Sequence, residues 1–578
     1  MNIMKSKKLK LIIAALLGLT VIGFVLPSAG PGADPANLVL RNGKVVTVDN
    51  SKPLAQAIAI RGDAIVAVGS NEEIQLYVDG KTQIIDLAGK LAIPGFIEGH
   101  GHFAGIGAAK MSLGLMRVKN WDEVVSMVAE AVKKAKPGEW ITGRGWHQEK
   151  WDKRPEPNVE GFPLHESLSK VSPQNPVILT HASGHASFVN AKALELAGVI
   201  SATPNPAGGE VLKDQQGNPV GLLRETAQGL VRRVMADAMA KQTQGERQAR
   251  ARKEIELAIQ ECLAKGITSF QDAGSSFATI DLLKTFVDEG KLGLRLWVMI
   301  RDNIELMSQN LDKYRMIGYG DQRLTVQAVK RSIDGALGPR GAWLLEPYTD
   351  LPSSTGLNTI PIPEMKAVAR LAIEHGYQFC VHAIGDRANR ETLDIFDETF
   401  RQYPGKKDLR WRIEHAQHLS PADIPRFGKL GVIASMQGIH CTSDAPYVTA
   451  RLGAKRAEEG AYVWQKLMKS SAVVTNGTDA PVEDVDPIAS FYATVSRKLK
   501  DDSVFYRDQT MSREEALKSY TLNAAYAAFE ENVKGSLTPG KLADIVVLSK
   551  DIMSVPADEI PSTQVAYTIV GGKIMFKR

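Results

Sequence analysis

At 578 residues the chain is too long for one ordinary domain, and its 44% hydrophobic and 23% charged residues are the balance of a globular protein, not a disordered or fibrous one. A net charge of +5, with no long basic block beyond the first ten residues, argues against a dedicated nucleic-acid binder. The three cysteines, Cys262, Cys380 and Cys441, lie far apart without CxxC spacing, so they supply neither a disulfide framework nor a cysteine metal site.

The first segment, 1–35, reads as targeting. "MNIMKSKKLK" is basic, Leu11 to Leu26 is apolar but shorter than a bilayer span normally needs, and "PSAGPGADPA" is small and helix-breaking. Together these form a secretory signal, or an N-terminal anchor if uncleaved; no Cys follows to carry a lipid. The body is therefore expected in the periplasm or secreted. Residues 36–93 show short strands and turns: an Asn-Gly hairpin signal in "ANLVLRNGKVVTVD", then "AIAIRGDAIVAVG". The last stretch, 533–578, has the same character, with a Gly-Gly turn in "VAYTIVGGKIMFKR". Two β-rich ends around a different middle predict one small β-sandwich domain built from both termini.

The middle, 94–107 and 250–532, alternates strands and helices. Eight apolar runs recur: "LAIPGFIEGHGH", "GITSFQDAG", "LGLRLWVMI", "LTVQAVKRSIDG", "YQFCVHAIGD", "LRWRIEHAQH", "GVIASMQG" and "SAVVTNGTDAP". Helical stretches such as "RKEIELAIQECLAKG" and "MKAVARLAIEHG" stop at Gly, as helix C-caps do. Eight such repeats predict a parallel (β/α)₈ TIM barrel, class α/β. More than 150 residues separate His102 from Gly266, so 108–249 is read as a subdomain inserted after the first barrel strand.

Polar residues fall at the ends of these runs. In "GFIEGHGHF", His100 and His102 share one face of a strand, and two converging imidazoles suit a transition-metal ion. A lone HxH is equally well read as a pair of satisfied histidines. Lys330 lies in the fourth run, His382 ends the fifth, His415 the sixth and Asp479 the eighth. In a barrel these ends meet on one face, where active sites of this fold sit. His375 reads as structural, and His165 and His440 as surface or loop residues.

The order HxH, Lys, His, His, Asp, with "IPGFIEGHGHF", "VHAIGDRAN" and "RIEHAQ", resembles the amidohydrolase superfamily in its YtcJ-like, amidohydrolase-3 branch. The resemblance spans nearly the whole chain after the leader, including the two-ended β domain and the insertion. It implies a metal-dependent hydrolase of carbon–nitrogen bonds other than peptide bonds, such as amides or cyclic amides. His100 and His102 would bind one ion, His382 and His415 a second, and Asp479 the first ion and the nucleophilic water. Lys330 would be N-carboxylated and bridge them; the residue reading leaves open an ordinary lysine paired with Asp334 and a single ion. Glu98 and Gly99 stand where the family commonly has Asp and Ser.

The donors suit Zn²⁺ foremost, and a cation-bound water would lose its proton near neutral pH and attack the polarised carbonyl. Asp479 would serve as base and then acid, with His415 or His382 steadying the oxyanion. Trp146, His185 and Arg340 are the substrate-contact expectations, from "GRGWHQEKW", "HASGHASFVN" and "DGALGPRGAW". The expected partner is a small molecule; nucleic acid is not expected, a membrane only through the N-terminal segment, and monomer and homodimer both stay open. Isomerase, lyase or ester-cleaving chemistry on the same site is the alternative, and a non-catalytic secreted binding protein a weaker one.

Overall fold

The structure, a computed structural model, describes residues 34–578. The targeting segment read over 1–35 lies outside them but for its last two residues. No helix among the described residues is long and apolar enough to cross a membrane.

Eight parallel strands follow one another around a barrel in chain order: β1 (Phe96–Gly101), β2 (Ile267–Ser275), β3 (Arg295–Ile300), β4 (Leu324–Ser332), β5 (Gln378–Ala383), β6 (Arg412–His415), β7 (Ile433–Gln437) and β8 (Val474–Gly477). Their runs are apolar on both faces, as in "RLWVMI" of β3, because helices cover the outside and side chains fill the inside. The wall closes where the segment after β8 meets β1: Asp479 N–H donates to His100 O (2.8 Å) and His102 N–H donates to Ala480 O (2.7 Å). That approach needs a glycine at position 99, since a Cβ there would stand 2.4 Å from Asn476 O.

Helices end where the sequence predicts, for example Ile424–Leu430 at Gly431, whose φ of +67° suits a residue without Cβ. The run "LAIPGFIEGHGH" is not one strand, however. Leu91–Pro94 pairs antiparallel with Ile545–Leu548 in a terminal sheet, and the barrel strand begins only at Phe96. Gly95 makes the step, because a Cβ there would sit 2.2 Å from the Thr268 side chain.

Strands from both chain ends form two further sheets. One holds Leu38–Arg41, Ala57–Arg61, Ala64–Gly69 and Gln83–Asp86; the other combines Lys44–Val46, Leu54–Ala55 and Leu91–Pro94 with three strands from the last 34 residues. Leu40, Ile58 and Ile60 of the first share an apolar cluster with Val45, Ile545 and Ile569 of the second. The Gly-Asp and Gly-Gly turns are hairpins as expected. The Asn-Gly turn is not: its flanking strands belong to different sheets, so the chain turns a corner there, with Asn42 bonded to Asp86 (2.8 Å).

Between α1 (Phe103–Lys110) and α2 (Gln244–Ala264) lies a six-stranded mixed sheet with its own apolar clusters. Arg144 Nε on this layer donates to Pro481 O just past β8 (3.1 Å), and Lys150 pairs with Glu483 (3.2 Å). The inserted layer thus sits against the end of the barrel where the strands finish.

Candidate metal centre

At that end β1, β5, β6 and β8 each finish on a chemically active side chain. His100 and Asp479 are buried, and His100 Nε2 stands 3.5 Å from Asp479 Oδ1; His102 Nε2, on the strand's exit into α1, stands 3.3 Å from the same oxygen. His415 packs its ring 4.6 Å from His100 and 4.5 Å from His382. One ligand atom each of His100, His102 and Asp479 lie within 4.8 Å of one another, as do those of His415, His440 and Asp479. Lys330, inside β4, is buried beside them, and no ion pair joins it to Asp334. Asp334 instead accepts backbone N–H bonds from Trp343, Ile384 and Gly385.

The backbone is strained at this rim. His415 and Asp479 hold φ of +77° and +57°, a region non-glycine residues avoid at about 1–3 kcal/mol each. Both are held by neighbours: Asp479 N–H by His100 O, and the Ala416 N–H after His415 by Ala383 O (3.2 Å).

Buried polar atoms ordinarily find partners. Here His100 Nε2, His382 Nε2 and Asp479 Oδ1 are buried without a hydrogen bond. The opposite nitrogen of His100 is taken: its Nδ1–H donates to Glu414, so Nε2 keeps a lone pair. His415 Nδ1–H likewise donates to Gln437 Oε1 (2.8 Å). Imidazoles oriented from behind by a carboxylate or amide, with the other nitrogen turned to a shared carboxylate, are how histidines present themselves to a cation. The donor set therefore fits a metal ion.

Electrostatics keep these groups ready to coordinate. Burial pushes His100 down to about 4, against the pull of Glu414, and drives His382 and His415 well below the usual imidazole range. Burial alone would raise Asp479, but the surrounding histidines hold its carboxyl well below the ordinary carboxylate range. Burial, then Arg301, bring Lys330 down to about 8. The Glu414 carboxyl, deep in the barrel, stays ionised because Arg412 and His100 outweigh its desolvation.

A cavity of about 520 Å³ opens from this cluster toward the inserted layer, lined by His102, Lys330, His382, His415 and Asp479 on the barrel side. His185 lines it as well: its ring lies 4.7 Å from that of His382 and its Nδ1 2.7 Å from Glu225. Trp146 and Arg340 do not reach it. Trp146 is fully buried in the insertion's core, its indole N–H donating to Leu179 O (2.9 Å), because it sits on a strand face that packs on Phe162 and His181. Arg340 is drawn away to Asp350 (3.1 Å) and Glu160. His440 is the reverse case. The helix Gly438–Leu452 turns it inward, where it is 5% exposed, with Gln417 Nε2 donating to its Nδ1 (2.9 Å). Glu414, Arg412, His440 and Glu225 were the residues sequence reasoning missed; only "RIEHAQ" carried a signal, in a carboxylate adjacent to a ligand histidine.

A closed parallel barrel with histidines and an aspartate gathered at its strand ends defines a metal-dependent hydrolase of the barrel type. The model of the amidohydrolase family matches residues 83–576, and the chain belongs to that family, an enzyme acting on carbon–nitrogen bonds. The chain is 35% identical to the protein LONG AFTER FAR-RED 3 of Arabidopsis thaliana, over 94% of this chain and 92% of that one. It is 26% identical to the N-substituted formamide deformylase of Arthrobacter pascens, over 94% and 98%. An uncharacterised metal-dependent hydrolase from Pyrococcus horikoshii OT3 shares its structure at a TM-score of 0.71 and 26% identity, covering 90% of this chain and 99% of that one.

Proposed function

We propose that the chain hydrolyses amides or cyclic amides at the cluster where β1, β5, β6 and β8 end, with His100, His102, Lys330, His382, His415 and Asp479 holding one or two divalent cations. Zn²⁺ suits imidazole and carboxylate donors best. The observation that carries the reading is the set of buried polar atoms without a hydrogen bond, His100 Nε2, His382 Nε2 (3.5 Å from Asp334 Oδ1) and Asp479 Oδ1, at one rim. The cations, when bound, would acidify a water toward neutral pH and polarise the scissile carbonyl.

The chain's residues do the rest. Asp479, a carboxylate in its histidine surroundings, takes a proton at a carboxylate oxygen and returns it to the leaving nitrogen. His415, its Nδ1–H anchored on Gln437, keeps Nε2 as the acceptor toward the cations. Lys330, brought down to about 8, exposes a fraction of free amine near neutral pH, the form that would take up CO₂ with release of a proton and so supply a carbamate oxygen donor to the cations. The inserted layer walls the cavity beside the rim and, through His185, meets the substrate. The basic, then apolar leader would carry the enzyme to the periplasm or beyond. N-Substituted formamides, the substrates named for the Arthrobacter relative, are the first compounds to test.

The experiment offers N-substituted formamides, N-acyl amino acids, cyclic amides and esters to the Zn²⁺-loaded protein in H₂¹⁸O. We expect amide cleavage with one ¹⁸O in the carboxylate product. Asp479→Asn should lower kcat by about 10²–10⁴-fold at matched metal content and with a Tm within a few degrees. Turnover without label, ester-only cleavage, or full activity in Asp479→Asn overturns the reading.

A further inference from the structure

The lining of the cavity carries Arg144 and Arg232 from the inserted layer and Arg301 just beyond β3; a fourth arginine, Arg331 near the end of β4, is bonded to Lys330 O and Asp302 O. None of the first three forms an ion pair among the described residues. Their hydrogen bonds are to neutral oxygens: Arg144 to Pro481 O and Ala182 O, Arg232 to Gln228 Oε1 (2.8 Å), and Arg301 to Ser332 Oγ (3.3 Å).

The carboxylates on the same wall are engaged elsewhere. Glu225 faces His185, Asp334 is held by three backbone N–H groups, Asp479 belongs to the histidine cluster, and Glu364 bears on Arg331. Solvent in the cavity reaches Arg232 and Arg301 although protein surrounds them.

The chain also makes room for them. At Gly274, with φ +138° near the end of β2, a Cβ would stand 2.8 Å from Arg301 Cδ and 2.9 Å from its Cβ, so only glycine lets that stem cross the strand end. Burial brings Arg144 down to about 10, which marks a place where its charge is poorly compensated. Guanidinium groups that solvent reaches and no carboxylate engages are free to take an anion, because planar N–H forks match an oxyanion in charge and shape.

We infer that Arg301 and Arg232, with Arg144 beside them, form a subsite for an oxyanion on the substrate, so that the enzyme acts on amides bearing a carboxylate at a fixed distance from the scissile bond. This rests on the hydrolase reading for its catalytic half; the anion subsite is read separately, by binding.

The test uses the Zn²⁺-loaded protein and three matched probes: N-formylphenylalanine, its neutral carboxamide and its phosphonate analogue. Binding is measured by calorimetry and kcat/KM by amine release, in wild type, Arg301→Gln, Arg232→Gln and a distant control, Arg401→Gln. We expect the carboxylate to bind about tenfold to hundredfold tighter than the carboxamide. That preference should shrink at least several-fold in Arg301→Gln and Arg232→Gln at unchanged metal content, and stay in Arg401→Gln. A phosphonate preference with the same arginine dependence supports the oxyanion subsite and assigns it to phosphoryl compounds. Equal affinity for acid and carboxamide, no binding of the acid, or a preference untouched by the arginine variants (a carboxylate seated on the cations instead) overturns it. Arginine-dependent binding without cleavage keeps the subsite and removes the hydrolase reading; equal cleavage of acid and carboxamide removes the subsite and keeps that reading.

Discussion

His100 depends on Glu414. The carboxylate is fully buried, takes the His100 Nδ1–H, and is itself neutralised by Arg412, whose other hydrogen bonds run to Gln271 Oε1 (2.5 Å) and to Gly99 O and Ser435 Oγ (2.7 Å each). Glu414→Gln should weaken cation binding about 10–100-fold in a metal titration. It also leaves the Arg412 charge unpaired in the barrel interior, at a cost of about 3–5 kcal/mol measured by urea unfolding. His418 offers a separate reading of burial. Both of its ring nitrogens are buried without a partner, and burial takes it down to about 3 from an ordinary 6.5. The unfolded chain therefore binds a proton that the folded one refuses between those values. Stability from this group is full above about pH 6.5 and falls as pH drops toward 3, by about 2 kcal/mol between pH 7 and pH 5. Urea midpoints at the two pH values should show a smaller difference in His418→Gln than in wild type; an unchanged difference would mean that other buried histidines carry the whole acid sensitivity.

Among the elements, β1 is the most constrained. Its entry is bent at Gly95 by Thr268, its middle admits Asn476 O at Gly99, and its exit delivers both His100 and His102 to Asp479 Oδ1. The alternation that places both imidazoles on one face was legible in "HGH", because strand geometry has a period of two. The glycines' reason was not, since Asn476 lies 377 positions away. Gly99→Ala should cost about 1–3 kcal/mol, as overpacking against backbone does. It should lower cation affinity as well, because it pries β1 from the segment that carries Asp479. The Asn-Gly turn teaches the same lesson: local chemistry asks for a tight turn, and both a hairpin and a corner between sheets satisfy it.

At the scale of the whole molecule, the proposed cation ligands His100 and Asp479 lie 379 positions apart, so ions bound there would cross-link the barrel's seam between β1 and β8. Removing them with a chelator should abolish activity and lower Tm, and Zn²⁺ at 100 times its Kd should restore about 2.7 kcal/mol. A chelated protein with an unchanged Tm would place the bound ions elsewhere. The inserted layer sets the other wall of the cavity, and with it Arg144 and Arg232.

The residue types on five of the eight strand runs, the alternation of strands with Gly-capped helices and the motifs around them were enough to determine the barrel and its family and to point to one rim, because each is written in local periodicity and in motifs a few residues long. Only the tertiary structure decided which side chains stand behind the ligands, that His440 turns inward while Trp146 and Arg340 turn away, and that three arginines without carboxylates face the cluster. These depend on distances between segments far apart in sequence, and on which of two faces of an element a neighbour happens to cover; neither is encoded at the scale of a motif.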